Sequence, residues 1–269
     1  MFISAETKLY GIFGYPLKHT LSPKLHSEMF IQNHINAVYL AFETENHNNI
    51  ADCMKSLNIN GANITIPYKE KVIDYLDWID VDAQNIGAVN TIKNVKGKLY
   101  GYNTDYLGFM YMVKNNINLY KEKKFTVLGA GGAAKAIVYA LYKLGIKHIN
   151  LLNRSKKNAD NLKKSMEKFI DMDIGSLNDK TILKSSNVII NCTSVGLKDD
   201  SLPIDINYID KAEVLDIIYK DSALIKKAKQ KGLNAINGLD MFIEQAFYSF
   251  KIWTEIEFDR KKAYKILKG

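Results

Sequence analysis

Cysteine is nearly absent: Cys53 and Cys192 are the only two among 269 residues, far apart and without neighbours at metal-ligand spacing. A disulfide scaffold and a zinc centre are therefore excluded as readings, and a reducing compartment is expected. Long apolar runs are lacking as well. The most apolar stretch, Phe125 to Leu144, is interrupted by Lys135 and a cluster of glycines and fails as a membrane span. No basic segment leads into an apolar run at Met1–Glu6, so a cytoplasmic protein without a secretory leader is expected. Neither an internal repeat nor a low-complexity tract is present. What the chain does have is 47% hydrophobic and 25% charged residues, the balance of a folded protein, over a length that suits two modest domains. The net charge of +8 raises nucleic acid as a partner. Lysines scattered through helical segments, with no basic tail and no interleaved aromatics, argue against it and fit a solvated surface or anionic small ligands.

From Tyr10 to Tyr102 short apolar strands alternate with helical segments, as in an α/β unit. Gly11–Phe13 predicts a buried strand, and Ser22-Pro23 reads as an N-cap with proline opening a helix to about His34. A strand over Val38–Phe42 precedes a helix whose Ile50, Met54 and Leu57 share a face, closed by Gly61. Asn63–Ile66 alternates as a strand that Pro67 stops, Tyr68–Leu76 reads as helical, and Ala88–Asn94 with Leu99–Tyr102 form a hairpin turned at Lys96-Gly97. After Asp105 comes a helix to about Asn116. The apolar runs Phe125–Leu128, His148–Leu152, Val188–Ile190 and Val214–Ile217, separated by helices and turns, then predict a parallel doubly wound sheet. Leu239 to about Lys268 reads as all-helical.

The chemistry starts at Gly129-Ala130-Gly131-Gly132-Ala133-Ala134, directly after the strand Phe125–Leu128 and before a helix through Leu144. This is the Gly-x-Gly-x-x-Ala dinucleotide fingerprint in strand-turn-helix context: Gly129 for the tight turn, Gly131 for close approach of a pyrophosphate, Ala134 for helix-to-strand packing. The phosphates sit on the helix N-terminus, where free N–H groups and the helix dipole favour negative charge. Where NAD enzymes place an acid at the end of the next strand, this chain reads Asn153-Arg154-Ser155-Lys156-Lys157. A guanidinium there binds a ribose phosphate that a carboxylate repels, so the expected cofactor is NADP. The plainer alternative is that these residues only cap and begin a surface helix.

Three polar clusters fall at predicted strand ends in the first half: Gly14–Pro23, Asn63–Lys69, and Gly87–Thr91 leading to Gly101–Asp105. With Asn191–Gly196 and Asn237–Met241 they closely resemble the shikimate dehydrogenase family, over about Tyr10 to Phe247. The resemblance implies NADPH-dependent, reversible reduction of 3-dehydroshikimate to shikimate on the route to chorismate and the aromatic amino acids. It implies Lys69 and Asp105 as the catalytic pair, an amine and a carboxylate suited to moving the proton that accompanies a hydride. It implies that Thr20 and Ser22, in place of the family's Ser-x-Ser, hold the substrate carboxylate, and that Asn63, Thr65, Asn90, Gln245 and Tyr219 serve the remaining substrate contacts. It also sets Gly129, Ala130, Gly131, Gly132, Ala133, Asn153, Arg154, Ser155, Lys157, Thr193, Ile217, Gly238 and Met241 around the cofactor, with no metal.

The expected architecture is α/β. It comprises an N-terminal substrate domain (1–104), a Rossmann-like doubly wound NADP-binding domain (105–237) and C-terminal helices (238–269) packing back on the first domain, as a monomer or homodimer. Two segments depart from the family pattern. Asp216–Ser222 lacks the proline and threonine usual after the tyrosine, and Asn158 stands where a basic residue is common. Competing readings are a quinate/shikimate dehydrogenase using NAD or NADP, a methylene-tetrahydrofolate dehydrogenase, and a non-catalytic ligand sensor. The Asn-x-Thr-x-Pro-x-x-Lys spacing through Lys69 favours shikimate over the folate enzyme, the missing acid near Asn153 disfavours an NAD enzyme, and a sensor would lack Lys69 or Asp105.

Overall fold

The computed structural model describes residues 3–18 and 20–268. His19 of the Gly14–Pro23 cluster, and Met1 and Phe2 of the opening segment, lie outside the described residues. The chain divides into two compact units, Met1–Thr104 with Ile243–Gly269, and Asp105–Phe242.

The first unit contains β1 (Lys8–Gly14), α1 (Ser22–Gln32), β2 (Ala37–Glu43), α2 (Ile50–Ser56), β3 (Ile59–Ile64), β4 (Trp78–Ile79), α3 (Val81–Ile86), β5 (Thr91–Val95) and β6 (Lys98–Tyr102). Its sheet runs β2-β1-β3-β5-β6-β4. β1 is parallel to β2 and β3, whereas β5 runs antiparallel to β3 and β6. Asn63 is opposite Thr91, and Thr91 is opposite Tyr102. That register brings the carboxyl ends of β1, β3 and β6 and the start of β5 to one edge of the sheet. Under the sheet Ile50, Met54, Ile59, Ile64, Val72, Ile92 and Leu99 pack into a buried cluster that holds this edge rigid.

Several local expectations shift here. The backbone of Leu21 is already helical, so α1 starts at Ser22 and no side chain caps it; Ser22 is buried instead of capping. Gly61 does not end α2. The helix stops at Ser56, Asn58 takes the left-handed turn at φ 49, and Gly61 lies inside β3, where a Cβ would run into the Trp253 indole. The strand expected over Asn63–Ile66 ends at Ile64, and Tyr68–Leu76 is a turn followed by a 3-10 helix over Lys71–Tyr75. β4 and α3 are too short to leave a periodic signal.

The second unit contains α4 (Asp105–Asn116), β7 (Phe125–Leu128), α5 (Gly132–Lys143), β8 (His148–Leu152), α6 (Lys156–Met166), β9 (Asp171–Gly175), α7 (Lys180–Ser185), β10 (Val188–Asn191), β11 (Glu213–Asp216), α8 (Ala223–Gln230) and β12 (Ala235–Ile236). All its strands are parallel, in the order β12-β11-β10-β7-β8-β9. Counted from β7 as the first, that is 3-2-1-4-5-6, the arrangement of dinucleotide-binding sheets, with its switch point between β7 and β10. β7 and β10 are buried along their whole length, which is why they read as unbroken apolar runs. The edge strand β9 carries Asp171 and Asp173 on its exposed side and gave no such run.

The C-terminal stretch is two helices, α9 (Leu239–Thr254) and α10 (Arg260–Lys268), parted at Glu255, whose φ is 63. The division between the units falls inside α9, after Phe242, whereas the sequence placed it after 237. From Ile243 onward α9 returns to the first unit: Trp253 Nε1 donates to the Ile92 carbonyl at 2.9 Å, and α10 packs on α1.

Candidate functional site

The strand-end edge of the first unit carries a buried polar centre. Asn63 is 5% exposed and Asn90 is 2% exposed. Asn63 Nδ2 donates to the Asn90 carbonyl at 3.2 Å, to Thr91 Oγ1 at 3.3 Å and to Ser249 Oγ at 3.1 Å, and its Oδ1 accepts from the Tyr39 hydroxyl at 2.7 Å. Asn90 Oδ1 accepts from the Thr104 N–H at 2.7 Å and from Thr91 Oγ1 at 2.9 Å. Its Nδ2 donates to Thr104 Oγ1 at 2.9 Å and to Gln245 Oε1 at 3.4 Å. Buried amides are tolerated because each has these partners. Three expected substrate residues, Asn63, Asn90 and Gln245, are thus joined in one hydrogen-bonded group.

Lys69 stands in the turn after β3, half-buried, not in a helix. Its carbonyl accepts from the Val89 N–H at 2.8 Å, next to Asn90, and the neighbouring Tyr68 hydroxyl donates to the Thr44 carbonyl at 2.7 Å. The backbone bearing Lys69 is therefore fixed on both sides. Thr65 is half-buried, with its N–H on the Phe13 carbonyl at 2.9 Å and its methyl filling the space a Cβ on Gly14 would need. Thr20 accepts from the Ser22 N–H at 3.3 Å, which sets these two residues in one turn. Burial holds the Tyr39 phenol well above its usual pKa, with a hydrogen bond from Ser22 acting the other way. Asp105 opens α4 and is buried; a carboxylate is favoured at that helix end.

In the second unit Gly129 has φ 99, and a Cβ on it would come within 2.9 Å of Thr193 Cγ2 and 3.3 Å of the Cys192 carbonyl carbon, so only glycine suits the turn. No atom lies within 4 Å of a Cβ on Gly131. Gly131 is the N-cap of α5 and no side chain caps that helix, so its first N–H groups have no capping side-chain acceptor. This fits a phosphate group. Ala134 is buried against the sheet, whereas Ala130, Gly132 and Ala133 are partly exposed. Asn153 Nδ2 donates to the Ser155 carbonyl at 2.8 Å, and Ser155 caps α6 by accepting from the Asn158 N–H at 3.4 Å. Arg154, Lys156 and Lys157 are exposed and, among the described residues, make no ion pair. Their charge is not neutralised by a neighbouring carboxylate.

Thr193 is held by Asn191 Oδ1 at 2.7 Å and accepts from the Val195 N–H at 3.2 Å. Asp216 accepts from Asn191 Nδ2 at 3.2 Å, Ser222 Oγ at 2.6 Å and the Ile218 N–H at 3.0 Å. Burial raises its pKa, against the pull of those donors. Burial, with Asp216 nearby, also raises the Cys192 thiol, so it is no reactive nucleophile. The Ile217 N–H is on the Asn191 carbonyl at 3.1 Å, and a Cβ on Gly238 would strike the Ile217 carbonyl. Met241 is buried; Tyr219 is half-buried with its ring 5.0 Å from that of Phe242. The described residues hold no group of three or more side chains arranged for a metal ion. None is long and apolar enough, as a helix, to cross a membrane.

Family models match the chain in three consecutive pieces: the shikimate dehydrogenase substrate binding domain over residues 12–92, shikimate / quinate 5-dehydrogenase over 111–197, and the shikimate 5'-dehydrogenase C-terminal domain over 238–268. The shikimate dehydrogenase (NADP(+)) of Aquifex aeolicus is 45% identical over 260 residues, 95% of this chain and 94% of its own. The chain belongs to the shikimate dehydrogenase family. A crystal structure of the Aquifex aeolicus shikimate dehydrogenase superposes with a TM-score of 0.93 at 41% identity, covering 100% of both chains. Another shikimate dehydrogenase, solved in complex with NADP+, gives 0.90 at 36% identity, covering 99% of this chain and 96% of that one. The Thermus thermophilus shikimate 5-dehydrogenase in complex with NADP(H) and shikimate gives 0.87 at 29%, over 97% and 98%. Family membership accounts for the neutral amides and hydroxyls of the first unit and the uncapped α5 of the second. Four residues of the polar centre, Tyr39, Thr91, Thr104 and Ser249, were not among the expected site residues; Thr91 and Thr104 stand inside the polar clusters at strand ends, whereas Tyr39 and Ser249 carry no local signal.

Proposed function

We propose that this chain is an NADP-dependent shikimate dehydrogenase, interconverting 3-dehydroshikimate and shikimate on the route to the aromatic amino acids. NADPH supplies the hydride. The second unit takes the cofactor role: the free N–H groups at the start of α5 bind the pyrophosphate, and Arg154 with Lys157 binds the ribose phosphate. Asn153, Ser155, Thr193, Ile217, Gly238 and Met241 shape the rest of that site. The first unit, including Ile243–Gly269, takes the substrate role. Thr20 and Ser22 hold the carboxylate, Ser22 by turning its hydroxyl from Tyr39, while Thr65, Asn90 and Gln245 serve the ring hydroxyls; Tyr219, of the second unit, is the remaining substrate residue. Neutral donors and acceptors suit hydroxyls because they bind in either direction without imposing charge.

Lys69 delivers a proton to the carbonyl oxygen as it becomes an alcohol and takes it back in the reverse direction, with Asp105 as the second member of the catalytic pair. The observation that carries this reading is the buried amide and hydroxyl group around Asn90, tied through Val89 to the backbone of Lys69. Every assigned residue comes from one chain, so a monomer or a homodimer serves equally. The two free cysteines suit the cytoplasm. The test is the absorbance of reduced nicotinamide with shikimate or quinate against NADP or NAD. Fast turnover is expected only for shikimate with NADP; activity with quinate and NAD alone would overturn the assignment, and no reduced coenzyme with any pair would overturn the enzyme reading.

A further inference from the structure

An amide side chain presents a donor at one end and an acceptor at the other, and a half-turn exchanges them. A site built on Asn63 and Asn90 recognises a hydroxyl pattern only if something fixes each half-turn. Two groups that cannot change role do so here. The Asn90 carbonyl only accepts, so the end of Asn63 that meets it at 3.2 Å is the NH2 end. The Thr104 backbone N–H only donates, so the end of Asn90 that meets it at 2.7 Å is the oxygen.

The consequences pass to two residues to which no role has been given. Asn63 Oδ1 faces the Tyr39 hydroxyl at 2.7 Å, so Tyr39 donates its one proton there. Ser249 commits its proton to the Gln245 carbonyl at 3.0 Å, so its oxygen accepts: from Asn63 Nδ2 at 3.1 Å and from Thr91 at 2.7 Å or Thr104 at 3.1 Å. Ser249 is 0% exposed and Tyr39 is 1% exposed, so water cannot substitute for either. Ser249 is therefore the junction between the Asn63 group, the Asn90 group and the turn of α9 that bears Gln245. Tyr39 closes the other end, toward Ser22.

We propose that Tyr39 and Ser249 are positioning residues for substrate, setting which end of the Asn63 amide is oxygen and holding Asn90 and Gln245 in register with it. This rests on the shikimate dehydrogenase reading. Asn63 itself then serves mainly as a relay, since both its N–H bonds end on protein and only one lone pair of its oxygen is left for a ligand. Neither Tyr39 nor Ser249 needs to touch the reacting carbon.

The test compares Tyr39→Phe and Ser249→Ala with the unmodified full chain in steady-state kinetics. Each variant is expected to raise KM for shikimate by about tenfold or more, because a buried partner left unsatisfied loosens the amide it served. The kcat should stay within about threefold and KM for NADP within about twofold, since uniform substrate binding is what is lost. The double variant is expected to be less than the product of the singles, both acting on Asn63. A merely structural role would lower the melting temperature and leave KM for shikimate unmoved; that outcome overturns the proposal. Should Ser249→Ala fail to fold, Tyr39→Phe, which keeps the ring and loses one oxygen, decides alone. An unmodified protein that reduces no NADP with shikimate overturns the function and this inference with it, whereas an active one whose variants keep its KM overturns this inference only.

Discussion

Arg260 grips Glu244 with two hydrogen bonds, Nε to Oε2 at 2.5 Å and a second nitrogen to Oε1 at 2.8 Å. The pair clamps α10 onto α9, and the guanidinium also lies 3.4 Å above the Phe247 ring. Glu244 is 3% exposed but Arg260 is 34% exposed. Removing the arginine strands a buried carboxylate, which for a fully buried pair costs about 3–5 kcal/mol. With one partner reaching water, Arg260→Ala is expected to cost about 2–3 kcal/mol in urea unfolding. Arg260→Met combined with Glu244→Gln should recover part of that; if the double variant is no better than Arg260→Ala, the stranded charge is not the cause.

Lys69→Ala should separate chemistry from binding. An acid/base group contributes about 10²–10⁴ in rate, so kcat is expected to fall by that much while KM for shikimate changes far less. The fixed backbone on either side of Lys69 makes the loss local to its side chain. Steady-state kinetics decide it: matched losses in kcat and affinity would move Lys69 from proton carrier to anchor.

Arg154→Gln should act on one cofactor only. The guanidinium, Lys156 and Lys157 are exposed and lack carboxylate partners among the described residues, so their charge is available to a phosphate. A charge-assisted pair at an exposed site supports a change in KM for NADP of about tenfold to a hundredfold. KM for NAD, which carries no ribose phosphate, should stay within about twofold. Parallel weakening of both would show that Arg154 merely shapes the start of α6.

How far the sequence could be read follows from how local each cause is. The second unit was legible because β7 and β10 are buried on both faces and the glycine turn sits between strand and helix, all within neighbouring residues. The first unit was legible in its motifs and less so in its joints. Gly61 looks like a helix stop within its own neighbourhood, and only the Trp253 ring, far along the chain, explains it. Ser22 looks like a cap, yet it is buried and no side chain caps the helix it opens. In the site itself, Asn63 and Asn90 stood inside recognisable motifs, whereas Gln245 came only with the family resemblance. Tyr39 and Ser249 came with neither, because their partner Asn63 lies 24 and 186 residues away in sequence, and no pattern of period 2 or 3.6 carries such a contact.

His26 gives the first unit an acid-sensitive point that the chemistry does not use. Its ring is fully buried, stacked 4.6 Å from Tyr39 with Trp253 at 5.2 Å and Phe250 at 6.4 Å, and neither ring nitrogen has a hydrogen-bond partner among the described residues. Burial lowers its pKa from 6.5 to about 3, so the folded state refuses a proton that the unfolded state takes up. The unfolded chain then binds more protons between those two values. Stability from this group is complete above pH 6.5 and is lost as pH falls toward 3, by roughly 1 kcal/mol or a little more per pH unit. His26→Phe removes the titrating group and keeps an aromatic ring in the stack. It should flatten the acid limb of the stability curve over that window, and at pH 7.5 it should gain about 1 kcal/mol by deleting two unpaired buried nitrogens. Urea midpoints from pH 7.5 to 4 measure both effects at once. A variant whose stability falls with acid as steeply as the parent's would mean that other groups, not His26, set the acid limit of the fold.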